Sequence, residues 1–114
     1  MQLVVLIMRE TEKLDELLLE LSDAGIGGAT VVDCEGMAER LLRMKRSEDI
    51  PLFGLLSSML EDETSSSKMI LMVLSDDKTE QVRCIVRSRI GGMDKPNSGI
   101  MFGLPLTFAE GIRF

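Results

Sequence analysis

Histidine, tyrosine and tryptophan are absent from this sequence, and the first absence excludes most. Without histidine there is no imidazole base near neutral pH, no Cys–His nucleophile pair and no imidazole ligand for zinc or copper. Cysteine is nearly as scarce. The two present, Cys34 and Cys84, lack the close pairing of a thiolate metal site, and both read as reduced thiols packed in a core or an interface. Basic residues are also short, 13 Lys and Arg against 19 Asp and Glu, and the net charge of -6 excludes non-specific binding to nucleic acid. No stretch approaches the ~20 apolar residues of a membrane span, so no membrane insertion is expected. The opening run Leu3 to Met8 has no basic segment before it and no small-residue cleavage site after it, which reads as a strand and not an export signal. The expected location is the cytoplasm.

What is present suits one folded unit. With 114 residues, 45% hydrophobic and 28% charged, the chain predicts a single domain over 1–114 with a modest core and solvated helix faces. Leu3 to Met8 is continuous, apolar and rich in β-branched residues, as a strand buried on both faces would be. Thr11 then offers a helix cap, Leu14, Leu17, Leu18 and Leu21 recur at helical spacing, and Gly25 ends the pattern. A second strand is predicted from Ala29 to Cys34. The plan repeats: Met69 to Leu74 is an apolar strand, Asp77 and Glu80 form a capping-box spacing, and Val82, Ile85, Val86 and Ile90 make the buried stripe of a helix closed by Gly91 and Gly92. Gly99 to Leu106 is the last strand, with Pro105 acceptable only near its end or at an edge. This β-α-β, β-α-β order predicts an α+β, ferredoxin-like split βαβ fold (βαββαβ), a four-stranded antiparallel sheet with two helices on one face.

Residues 37 to 67 are a long excursion, beyond ordinary connection lengths. It opens with a basic cluster, Arg40, Arg43, Lys45 and Arg46, passes through the apolar "IPLFGLLSSML", where a short helix after Pro51 is expected, and returns through "EDETSSSK". Either it packs on its own sheet or a neighbouring subunit, or it is an arm that docks a partner protein. Glu61, Asp62 and Glu63 read as a solvated turn and not a cation site. The stretch "GGMDKPNSGIMFGLPL", Gly91 to Leu106, also admits two readings: a helix cap followed by a turn, or a backbone cradle for an anion, with Asp94, Lys95, Asn97 and Ser98 adding polar side chains.

The helix "KLDELLLELSDAGIGGATV", the strand ending "VVDCEG", the long excursion, "SDDKTEQVRCIV" and "GGMDKPNSGIMFGLP", taken in order, resemble the PII-like (nitrogen regulatory protein P-II) superfamily. The branch it resembles most has a DKPxxG loop. The resemblance implies a homotrimer that binds an adenine nucleotide or another small anionic metabolite in clefts between subunits and touches a protein target through residues 37–67. It does not imply catalysis. Carried over by position, it implies a ligand site at Thr30, Gly36 with Met37 beside it, Val73, the loop holding Gly91, Gly92, Asp94, Lys95, Asn97, Ser98 and Gly99, and Arg113. The sequence also departs from that pattern. Ala38 and Arg40 replace a glycine and a glutamine, Ile100 and Gly111 replace two cations, and no tyrosine is available for modification. Which ligand is bound stays unknown on these residues. Competing expectations are an assembly trimer that has lost its ligand, a CutA-like metal-tolerance protein, which the lack of histidine disfavours, and an acylphosphatase-like enzyme, for which Arg9 alone makes no phosphate loop.

Overall fold

The aliphatic runs do become the sheet. The computed structural model describes residues 1–9, 11–44, 67–91 and 99–112, and within them β1 (Gln2–Met8), β2 (Thr30–Cys34), β3 (Ser67–Leu74) and β4 (Ile100–Pro105) form one antiparallel sheet in the order β2-β3-β1-β4. The two central strands, QLVVLIM and SKMILMVL, are the long apolar ones, but they are fully buried on one face only: Val4, Leu6, Met8, Ile70, Met72 and Leu74 are buried, whereas Leu3, Ile7, Met69, Leu71 and Val73 are half-buried. β3 lies between β1 and β2, which is the split βαβ arrangement predicted. Pro105 is the last residue of β4, an edge strand paired only with β1, where a missing N–H costs no ladder bond.

Register decides which residues share a face. Val4 stands opposite Met72 and Leu6 opposite Ile70, so the even-numbered residues of β1 and β3 point the same way. Two helices cover that side. α1 (Leu14–Asp23) contributes Leu14, Leu17 and Leu21, and α3 (Asp76–Ile90) contributes Val82, Val86 and Ile90. Each aliphatic side chain fully withdrawn here stabilises the fold by about 1.5–3 kcal/mol. The opposite face carries Leu3, Val5 and Ile7 of β1, Met69, Leu71 and Val73 of β3, and Ile100, Phe102 and Leu104 of β4. α1 and α3 leave it open: Ile100, Phe102 and Leu104 are 59%, 44% and 49% exposed.

Several local expectations change. Thr11 starts a single 3-10 turn, Thr11–Lys13, and α1 proper begins at Leu14 behind Lys13, which makes no side-chain cap. The cap of α3 is Ser75 and not Asp77: the Ser75 hydroxyl accepts from the Lys78 backbone N–H at 3.4 Å, and Asp76 and Asp77 fall inside the first turn. The negative charges remain well placed there, against the positive end of the helix. The excursion begins as a helix, α2 (Met37–Arg43), and Ser67 already belongs to β3. Its basic start is partly neutralised, since Arg40 and Arg43 both reach Glu35, at 3.5 and 2.8 Å. Lys45, Arg46 and the short helix expected after Pro51 lie outside the described residues. Cys84 is exposed on α3, so of the two positions expected of it, a core or an interface, the core is corrected.

Candidate functional site

α1 ends at one end of the sheet, and a cleft opens there. The backbone turns at Gly25, with φ of +87°, and residues 26–29 lead through two more glycines into β2. Ile26 drops into the core, so the wall that remains is mostly bare backbone. This wall, the ends of β1 and β3, the start of α3 and the stretch after β4 enclose an open cleft of about 770 Å³. Leu3, Leu71 and Val73 make it apolar, Thr30 adds a hydroxyl, and Gly111 and Ile112 form part of its rim. Lys78 reaches it from the first turn of α3, and its Nζ donates to the Ala24 carbonyl at 3.0 Å and to Gln81 Oε1 at 3.4 Å.

The other end of the sheet has a different character. Ser67 is 3% exposed, and its hydroxyl donates to Glu39 Oε1 at 2.5 Å, while Arg9 Nε lies 3.6 Å from the same oxygen. The residue after β1, α2 and β3 are thus joined by one shielded polar cluster, in which the serine hydroxyl and the carboxylate satisfy each other. Gly36 and Met37 precede it, and Gly91 ends α3 with φ of +86°, its N–H bonded to the Arg87 carbonyl at 2.9 Å. Gly99 leads into β4 with φ of +127°, and a Cβ there would stand 2.5 Å from the Ile7 carbonyl oxygen. That position is glycine because two backbones meet.

The expected site residues therefore fall into two groups. Thr30 and Val73 share the cleft, whereas Gly36, Met37, Gly91 and Gly99 sit at the far end, separated by the length of β2, roughly 13 Å. One copy of the chain does not bring the two groups together. Gly92, Asp94, Lys95, Asn97, Ser98 and Arg113 lie outside the described residues. Cys34 belongs to the open face at the far end of β2; burial pushes its thiol above the ordinary range, Glu39 and Asp33 push it the same way, and Lys68 opposes them. Lys68 is itself ion-paired with Asp33. Among the described residues, no three Cys, Asp or Glu gather to hold a metal ion, and no helix is long and apolar enough to cross a membrane.

Sequence reasoning missed Lys78 and the Arg9–Glu39–Ser67 cluster. Lys78 stood in "DDKTEQ" as one more charge at a helix start, and its role depends on the end of α1, 54 residues earlier, packing beside it. The only sequence signal was a cation where acidic residues are preferred, in the first turn after a strand.

The model of the nitrogen regulatory protein P-II family matches residues 1–114, the whole chain. No curated protein matches it significantly. On the family match, the chain belongs to the nitrogen regulatory protein P-II family.

Proposed function

From that membership, we propose that the chain is a regulatory binding protein that works as a homotrimer, without catalysis of its own. A small anionic metabolite, with an adenine nucleotide as the first candidate, occupies clefts between subunits, and residues 37–67 carry the signal to a protein partner. One observation supports this reading above others: the described candidate ligand residues lie at opposite ends of a sheet whose face away from α1 and α3 is apolar across three strands. Exposed apolar surface of this kind marks an interaction face. Three copies that bury it against one another allow the Thr30–Val73 cleft of one to meet the Gly36–Gly99 end of the next. A ligand then acts by its different affinity for two arrangements of the 37–67 segment, since binding that favours neither shifts nothing.

Sedimentation of the purified chain, followed by calorimetric titration with ATP, ADP, AMP and cyclic dinucleotides, tests both parts. The expected result is a trimer that releases or absorbs heat with at least one of them. A monomer overturns the assembly. A stable trimer with flat titrations and no thermal shift overturns the nucleotide reading and favours a purely structural assembly.

A further inference from the structure

We propose that Lys78 is the residue that reads negative charge in the Thr30–Val73 cleft, so that the ligand taken there carries a phosphate or carboxylate on an apolar body. The inference rests on the reading of this cleft as a ligand site. Lys78 is the single charged side chain lining the cleft among the described residues. Leu3, Leu71 and Val73 offer apolar surface, and the Gly25–Ala29 wall offers backbone, so neither distinguishes a charged ligand from a neutral one. The charge of Lys78 is also not spent elsewhere. Its acceptors are the Ala24 carbonyl and the Gln81 amide oxygen, both neutral, and no carboxylate pairs with it among the described residues. An ammonium has three donors, and two neutral partners orient it while leaving one N–H and the full charge for an anion.

The surroundings fit this use. A side chain at Gly25 would stand 3.1 Å from Nζ, in a backbone conformation with φ of +87° that L-residues rarely adopt, so the glycine that ends α1 also keeps room for the ammonium. The neighbouring acidic residues Asp76, Asp77 and Glu80 all lie outside the cleft lining; Asp76 is engaged by the N-terminal ammonium at 3.1 Å and Glu80 by Arg83 at 2.5 Å. Gly111 on the rim carries no charge, so among the described residues lining the cleft the cationic role falls to Lys78.

Lys78→Gln tests the inference because glutamine, one methylene shorter, keeps an N–H donor and loses the charge. Titrations would use the full chain with ADP, with adenosine and with inorganic pyrophosphate, read by calorimetry and by the Lys78 side-chain ammonium resonance. ADP is expected to bind about tenfold or more weakly to Lys78→Gln, adenosine equally to both, and Lys78→Arg to recover most of the loss. Thermal melts of the variants confirm that folding is retained. ADP binding that is unchanged in Lys78→Gln overturns the role of Lys78 and leaves the nucleotide reading standing. Pyrophosphate that moves the Lys78 resonance while no nucleotide binds supports Lys78 and overturns the nucleotide reading. Silence with every probe overturns both.

Discussion

The two thiols differ in what surrounds them, and their chemistry follows. Cys84 is exposed on α3 with the Arg87 guanidinium 3.7 Å from its sulfur, whereas Cys34 is half-buried at the end of β2 with its thiol pushed up by burial and by Glu39 and Asp33. Since the thiolate is the reactive form, a disulfide reagent at neutral pH is expected to label Cys84 well before Cys34, as mass spectrometry of timed digests would show. The sign of the pH effect is fixed by the same shift. A raised folded value means that the folded chain holds this proton more tightly than the unfolded one. The stability it contributes is complete below the ordinary thiol range and is lost as pH climbs through the folded value. Equal labelling rates would remove the shielding argued for Cys34. Neither environment was legible in the sequence, where both cysteines stood in periodic apolar contexts and read alike.

At the level of elements, Gly99 and Gly103 of the last strand region test what a glycine is for. Gly99 has φ of +127° and would place a Cβ 2.5 Å from the Ile7 carbonyl oxygen, which cannot move without opening the β1–β4 pairing. At Gly103 the close neighbour is Gln2 Oε1, at 2.7 Å, the far end of a side chain that can turn away. Gly99→Ala is expected to cost more than about 1 kcal/mol and Gly103→Ala clearly less, measured by denaturant unfolding of the two variants. Equal costs would show that the backbone approach at Gly99 does not limit the fold. The elements themselves were readable. β1, β3 and both long helices follow from periodicity, because leucines at Leu14, Leu17 and Leu21 or an unbroken MILMVL leave few alternatives. The caps were not, because Ser75 and Asp77 are both good capping residues and only the path of the chain from β3 chooses between them. α2 escaped notice because its MAERLLR is short and lies in a charged stretch.

For the whole molecule, the sheet face that α1 and α3 leave open is the feature that asks for company. Phe102 lies opposite Val5 at the β4 edge, and Phe102→Asp would place a carboxylate in the middle of any interface built on that face. If the proposed trimer is built there, sedimentation is expected to show its assembly weakened at least about a hundredfold, with helix content retained. An undisturbed trimer would mean that the copies meet elsewhere. The site was only half legible at this scale. Thr30 and Val73 belong to paired strands and were always going to be neighbours, but Gly36 and Gly99 join them only if a second copy does, and no pattern within one chain encodes that directly. The cluster of Arg9, Glu39 and Ser67 has one further effect. By fastening residues 28 positions apart, it holds together the two stems of the central excursion as part of the fold. Closing that loop is therefore a cost already met, and for a flexible connection each doubling of its length adds only about 0.6 kcal/mol. A change in the length of the segment between these two stems is expected to leave the four-stranded sheet as it is.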